Sequence, residues 1–334
     1  MLNLYLDQIR RGRDLMPAQA RQCLETILTG SIAEETVVQL LHGLADKGES
    51  AGEITGFAQA LLARATALDL PGPAIDLCGT GGVPFDRFNV STAAAFIVAA
   101  GGVTVLKHGN RGSRIANGSF DLLEALQCRF DFSPQQLTQV RSQTNLCLLF
   151  APLYHPAMKQ VAAARKQANR RTVFNLAAPL CNPAQPPFQL VGTTDLPTAR
   201  RLGQVLKNLG RRRALVVTGE PGIDDLSISG TSHIVEWRDG AFSEFSLHPT
   251  QLGIEPVPYD QIPGGDYRRN AGLFLALLEK GQPHPLRDLV CLNAGAAFYC
   301  AGETSTIEAG YTRALELLEG GHVWRRFVEY RSLE

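Results

Sequence analysis

Four stretches of this chain place anion- or cation-binding residue types where the backbone must turn. In the first, an apolar run, Ala74-Ile75-Asp76-Leu77-Cys78, enters Gly79-Thr80-Gly81-Gly82, and Asn89-Val90-Ser91-Thr92 then reads as a helix start. Glycines let a backbone approach a ligand and present its N–H groups, and a helix start adds free donors and a positive dipole end. The Ser91 and Thr92 hydroxyls suit phosphate oxygens or a metal. A tight turn before an ordinary N-cap would use the same letters. In the second stretch, Lys107-His108-Gly109-Asn110-Arg111 follows a predicted strand at Val103–Leu106, and Gly118-Ser119 opens a further helix as a second anion cradle. Ligands of open α/β sheets bind beyond the carboxyl ends of strands, whereas a solvated basic loop is the plain alternative.

The third stretch runs from Pro152 through His155 and Lys159 into a predicted helix carrying Arg165. His155 and Arg165 are ten residues apart, about three turns, so both can face one cleft; a solvated basic face is the ordinary fate of Arg165 and its neighbours Lys159 and Lys166. The fourth is Gly222-Ile223-Asp224-Asp225-Leu226-Ser227, beyond a predicted strand at Ala214–Thr218. Adjacent carboxylates at a strand exit suit Mg²⁺, which takes few protein carboxylates alongside substrate phosphates. An acidic turn is the alternative.

The elements that must position these groups are legible in outline. Through residue 70, apolar positions recur at helical spacing: Leu4 and Ile9; Ala20, Leu24, Ile27 and Leu28; Val37, Leu40, Leu41 and Leu44; Ile54, Phe57, Leu61 and Leu62. Gly30 and Gly48 stand where left-handed C-caps are expected, and Ser31 with Glu34 reads as a capping box for the third helix. After Pro71-Gly72-Pro73 the texture changes. An alanine-rich helix at Ser91–Gly101 and short β-branched runs near 146–150, 189–192 and 214–218 alternate with helical segments. His233–Trp237 and Ala241–Leu247 read as a hairpin around Asp239-Gly240, and helices return at the C-terminus. The fold class expected is α/β: a small all-helical N-terminal domain over residues 1–70, then a larger α/β domain over 71–334 with a mostly parallel central sheet.

Composition narrows the classes. Thirty-two basic residues cancel thirty-two acidic ones, so no whole-molecule field draws the chain toward nucleic acid or an anionic membrane. No apolar run is long enough to span a bilayer, and the start does not read as a signal peptide. Seven scattered cysteines without CxxC spacing read as reduced, buried thiols of a cytoplasmic protein.

Taken in order, G-T-G-G, N-x-S-T, K-H-G-N-R, G-S, H-P-A-M-K, R-T-x-F-N, N-P-A and D-D-L-S resemble the anthranilate phosphoribosyltransferase family, and the likeness extends to Asn293-Ala294-Gly295 and the C-terminal helices. The resemblance implies a glycosyltransferase of the nucleoside-phosphorylase-type fold, paired as a homodimer through its helical domains. It implies transfer of the phosphoribosyl group from phosphoribosyl pyrophosphate (PRPP) to the amine of anthranilate, releasing pyrophosphate in tryptophan biosynthesis. Gly79, Gly82, Asn89, Ser91, Thr92, Lys107 and Ser119 would hold PRPP. Gly79, Asn110 and Arg165 would hold anthranilate, with His108, His155 and Pro179 lining that side. Ser91, Asp224 and Asp225 would bind Mg²⁺. No residue is assigned as a general base, because an aromatic amine is largely neutral at pH 7.

The departures from the family pattern cluster. Where the family has Asp after G-T-G-G, then Gly, then Thr four residues beyond the Asp, this chain has Val83, Pro84 and Arg87. The serine-rich loop after K-H-G-N-R is Gly112-Ser113-Arg114-Ile115-Ala116-Asn117, and Asp225 replaces the usual Glu. Arg87 and Arg114 are expected to point into the cleft and replace lost neutral donors toward PRPP. A paralogue with an altered phosphoribosyl site and another substrate is the competing expectation. A third, a nucleic-acid-binding paralogue, would use Arg165-Lys166, Arg170-Arg171, Arg211-Arg212-Arg213 and Arg325-Arg326 as a basic stripe. Neutral net charge and 7% aromatic residues speak against it.

Overall fold

In a computed structural model of the chain, the described residues are 2–83, 87–112, 116–281 and 284–333. Helices α1 (Leu2–Arg10), α2 (Pro17–Ile27), α3 (Glu34–Lys47) and α4 (Ala51–Ala63) come first, as the apolar spacing predicts. Gly30 and Gly48 both take positive φ, +77° and +83°. Two local expectations fail. Ser31 does not cap α3: its hydroxyl pairs with Thr29 Oγ1, and Ala33 is the N-cap. Leu4 is 71% exposed, since α1 buries Leu2, Tyr5, Leu6 and Ile9 instead.

Next come β1 (Ile75–Gly79), α5 (Val90–Ala100), β2 (Val105–Gly109), α6 (Ser119–Ala125), α7 (Pro134–Thr144) and β3 (Leu146–Phe150). The short helices α8 (Ala151–Tyr154), α9 (Ala162–Ala168) and α10 (Val173–Ala177) follow, then β4 (Phe188–Gly192), α11 (Leu196–Asn208) and β5 (Arg213–Gly219). The expected hairpin is β6 (Ser232–Arg238) and β7 (Ala241–Leu247), turned by Asp239 and Gly240, both at positive φ. Helices α12 (Tyr267–Lys280), α13 (Pro285–Ala301), α14 (Ile307–Glu319) and α15 (His322–Arg331) end the chain.

Among the described residues the strands form one seven-stranded sheet in the order β3-β2-β1-β4-β5-β6-β7. The first five are parallel to their neighbours, and β6 and β7 are antiparallel. Chain order reverses between β1 and β4, so the crevice beyond their carboxyl ends is the topological switch point, where such sheets bind ligands. Gly79 and Gly192, the last residues of these strands, sit side by side in register.

Strand alternation divides the core. Leu190, Leu215 and Val217 face a cluster with α5 and α13, whereas Val191, Ala214 and Val216 face the cluster that contains α1–α4. The N-terminal helices therefore pack directly on one sheet face, and α9 and α10 complete their bundle against α3 and α4. On the other face, α13 and α14 cross where Gly295 meets Gly310. A Cβ on Gly295 would lie 2.5 Å from Tyr311 N and 2.8 Å from Gly310 C. Gly295→Ala should therefore destabilise the protein by about 1–3 kcal/mol through overpacking, seen as a lower urea midpoint; an unmoved midpoint would mean that the two helices part freely.

Candidate active site

The site is built on the carboxyl ends of β1, β2 and β4 and on the loop after β5. That loop folds back so closely that a Cβ on Gly79 would strike Asp224 Oδ2, and one on Gly192 would strike the Asp224 backbone. Asn293 of α13 fixes the loop from the other side. Its Oδ1 accepts from Leu226 N at 2.9 Å, and its Nδ2 donates to Leu226 O at 3.0 Å. Cys78, Ser91, Asp224, Asp225 and Asn293 line the crevice that results.

Lys107 lies inside β2, not in a loop beyond a strand ending at Leu106, because β2 ends three residues later than the apolar run indicated. Its side chain is buried, and Nζ donates to Leu77 O at 2.8 Å and to Ser91 Oγ at 3.1 Å. Burial lowers its pKa, opposed by the Asp76 carboxylate. Ser91 and Thr92 open α5 as expected, and Thr92 Oγ1 is fully buried with no partner among the described residues. Asn89 is the N-cap residue, but its side chain makes no cap. Nδ2 donates to Asn117 O at 3.1 Å, and Oδ1 accepts from Asn270 Nδ2 at 3.0 Å. Ser119 opens α6 and donates to Asn110 O at 3.3 Å, while Asn110 Oδ1 accepts from Arg111 N at 2.8 Å.

Beneath these groups a buried polar rung crosses the sheet. Arg211 Nε donates to Gln189 Oε1 at 3.0 Å, Gln189 Nε2 donates to Asp76 Oδ2 at 3.4 Å, and Asp76 Oδ1 accepts from His108 N at 3.2 Å. Gln189 also donates to Pro179 O at 3.1 Å. Sequence reasoning misses this rung, since isolated polar letters in apolar strands carry no periodic signal. It also misses Arg171 at the glycine turn, having read it only as a motif letter and as part of a basic stripe. Arg171 donates to Thr80 Oγ1 at 3.1 Å and so borders the glycine turn.

On the side expected for the aromatic acid, His108 and His155 meet edge to face with ring centroids 5.2 Å apart. Desolvation lowers both pKa values, that of His108 to about 3, so both rings are neutral at pH 7. His155 Nε2 pairs with Cys181 O at 2.9 Å. Arg165 lies on α9, the helix expected to carry it, and a 3-10 segment, Pro156–Val161, separates His155 from that helix. Arg165 lies over the Phe174 ring at 5.2 Å, without a carboxylate partner among the described residues.

The metal expectation meets a competitor. Mg²⁺ takes oxygen ligands, and Ser91, Asp224 and Asp225 offer oxygens. Yet Asp224 Oδ1 forms an ion pair with Arg87 Nη1, and Oδ2 accepts from Gly81 N at 2.8 Å. Ser91 Oγ is taken by Lys107, which leaves Asp225 as the one carboxylate of the set without a hydrogen bond among the described residues. Withdrawal from water, with Asp224 alongside, raises its pKa well above the usual carboxylate range. In this arrangement the three-residue set does not fit a divalent ion. Arg87 does reach the expected cleft, but turned onto Asp224; Arg114 and Pro84 lie outside the described residues. Two members of the supposed basic stripe, Arg211 and Arg213, are buried, and Arg213 pairs with Glu236.

The helical bundle and the α/β unit each correspond to a domain of one glycosyl transferase family. Residues 4–65 match the helical bundle domain of the glycosyl transferase family, and residues 71–323 match its a/b domain. The anthranilate phosphoribosyltransferase of Brevibacillus brevis is 43% identical over 335 residues, covering 100% of this chain and 98% of that protein. That of Symbiobacterium thermophilum is 39% identical over 329 residues, covering 98% and 96%. The crystal structure of anthranilate phosphoribosyltransferase from Thermus thermophilus superposes with a TM-score of 0.90 at 35% identity over 98% of each chain. The yeast enzyme in complex with PRPP and Mg shares the fold, with a TM-score of 0.88 at 23% identity over 98% and 96%. This chain belongs to the anthranilate phosphoribosyltransferase family.

The Asp76 carboxyl is fully buried, and desolvation raises its pKa to about 6. Between about pH 4 and 6 the native state then holds more protons than the unfolded chain, so this group's contribution to stability falls as pH rises and levels above 6. Buried neutral His108 contributes the opposite slope at acid pH. The difference between wild type and Asp76→Asn isolates the carboxyl: wild type should lose ~2 kcal/mol relative to the variant between pH 4 and pH 7 in urea unfolding. Parallel curves would show that Asp76 ionises freely in the fold.

Proposed function

We propose that this chain transfers the phosphoribosyl group of PRPP to the amine of anthranilate. The amine nitrogen bonds to C1 of the ribose, the C1–O bond to pyrophosphate breaks, and the amine proton passes to solvent. The observation that carries this is a full-length match to enzymes of that activity combined with a buried Lys107–Ser91 pair at the sheet's switch point. The Lys107 amine there, whose charged form Asp76 favours against desolvation, stabilises the charge that gathers on departing pyrophosphate. Gly79, Gly82, Ser91, Thr92, Lys107 and Ser119 hold PRPP in this reading, and the orphan Thr92 hydroxyl is a donor awaiting an acceptor. Asn89 supports them indirectly, through the asparagine cluster it joins.

Arg165 holds the anthranilate carboxylate, its guanidinium free of any protein carboxylate among the described residues, with Asn110 and the neutral His108 and His155 lining that side. Pro179 belongs here through its carbonyl on Gln189. Orientation of two bound substrates supplies the remaining catalysis. Mg²⁺ enters this reading as the ion of the PRPP diphosphate, as the yeast complex with PRPP and Mg suggests. The chain pairs as a homodimer through its helical domain, where Leu4 and Met16 stand 71% and 66% exposed. No helix among the described residues is long and apolar enough to cross a membrane, and the cysteines are free, which suits a cytoplasmic reaction.

Anthranilate fluorescence should decay with the full chain only when PRPP and Mg²⁺ are both present, and Lys107→Met should slow that decay by roughly a hundredfold or more. Anthranilate that binds but is not consumed would favour the paralogue with another donor. Arg165→Ala should raise the KM for anthranilate roughly tenfold or more while leaving that for PRPP within about twofold, as expected for loss of a charged hydrogen bond. Equal changes in both would remove Arg165 from the acceptor side.

A further inference from the structure

The cation on Asp224 is delivered by a scaffold of its own. The Arg87 carbonyl accepts from Asn270 Nδ2 at 2.8 Å and from Asn117 Nδ2 at 3.1 Å. Asn270, fully buried, also donates to Asn89 Oδ1 and to Asn117 Oδ1 at 2.9 Å, so one carboxamide ties α12, the start of α5 and the approach to α6 around Arg87. Gly264 presses on the same peptide: a Cβ there would lie 2.5 Å from the Arg87 carbonyl carbon. The main chain of Arg87 is thus held on three sides while its guanidinium reaches Asp224, whose side chain is 2% exposed. Two carboxylates, Asp224 and then Asp225, favour the charged guanidinium. Arginine keeps its charge at every physiological pH, so a metal ion meets no window in which this partner is neutral.

We propose that Arg87 is a resident counter-ion that takes the place of a divalent metal on Asp224 in the substrate-free protein. The chain then holds no Mg²⁺ at the Asp224–Asp225 pair until Arg87 is displaced, and its metal dependence is set by that exchange. This rests on the phosphoribosyl-transfer reading only for the choice of ion. The Val83 and Arg87 substitutions act together in it: the chain lacks the family's carboxylate at one position and brings a fixed cation at the other.

Binding of Mn²⁺ alone to the full chain, followed by the electron paramagnetic resonance signal of the free ion, tests this without substrate. Wild type and Asp224→Asn should bind Mn²⁺ alike. Arg87→Gln should gain a site at least about tenfold tighter, the effect of returning a carboxylate to the ligand set, and adding Asp224→Asn should abolish the gain. Weaker binding by Asp224→Asn than by wild type would overturn the proposal, since the metal would then use Asp224 beside Arg87. So would an Arg87→Gln protein, folded by circular dichroism, that binds no more tightly than wild type, or a gain that survives in the double variant. If Arg87→Gln does not fold, the comparison of wild type with Asp224→Asn still decides. With neither PRPP nor anthranilate present, failure here leaves the substrate reading untouched, and loss of anthranilate turnover leaves this one untouched.

Discussion

A carboxylate set almost out of water at the end of a parallel sheet needs a positive partner, and the site is organised around that need at Asp224. The loop bearing it can sit against β1 and β4 only because both strands end in glycine, so the switch point is filled by an acidic side chain and not by a ligand-sized void. Once the carboxylate is there, an unpaired charge would cost several kcal/mol. Gly81 N–H and Arg87 relieve it from one side, while Asn293 keeps the loop from relaxing away on the other. The glycine turn therefore serves the acidic loop first, and any substrate that enters must be accommodated by groups already engaged with one another.

A second consequence concerns Lys107. A buried ammonium is tolerated when its donors are used and an acid lies near. Leu77 O and Ser91 Oγ use its donors, and Asp76 on the neighbouring strand begins the rung that continues through Gln189 to Arg211. That rung joins β2, β1, β4 and the entry to β5, so the strand carrying the buried amine is braced by hydrogen bonds spanning most of the parallel sheet. Desolvation keeps His108 and His155 neutral on the neighbouring side, so neither ring adds positive charge there.

Much of this was legible in the residues. Helical spacing gave α1–α4, the Asp239-Gly240 turn gave the hairpin, and the glycine run with N-x-S-T gave the β1–α5 junction. What failed did so for identifiable physical reasons. Ser31 spends its hydroxyl on Thr29, so the helix behind it starts uncapped at Ala33. A 3-10 segment from Pro156 to Val161 stands between His155 and α9, a break that residue spacing alone does not reveal. β2 extends through Lys107 and His108 because its hydrogen-bonded neighbours, not its apolar letters, decide where pairing stops.

The sequence by itself determined which residue types stand at each turn, the alternation of helix and strand, and the substitution of Val83 and Arg87 in a familiar frame. These follow from short-range causes: periodicity, glycine's conformational freedom and the chemistry of single side chains. Only the tertiary structure decided that Arg87 faces Asp224, 137 residues away, and that Asp76, Gln189 and Arg211 form one rung. Strand order sets those distances, and in a buried crevice the nearest opposite charge takes a carboxylate whatever its separation along the chain.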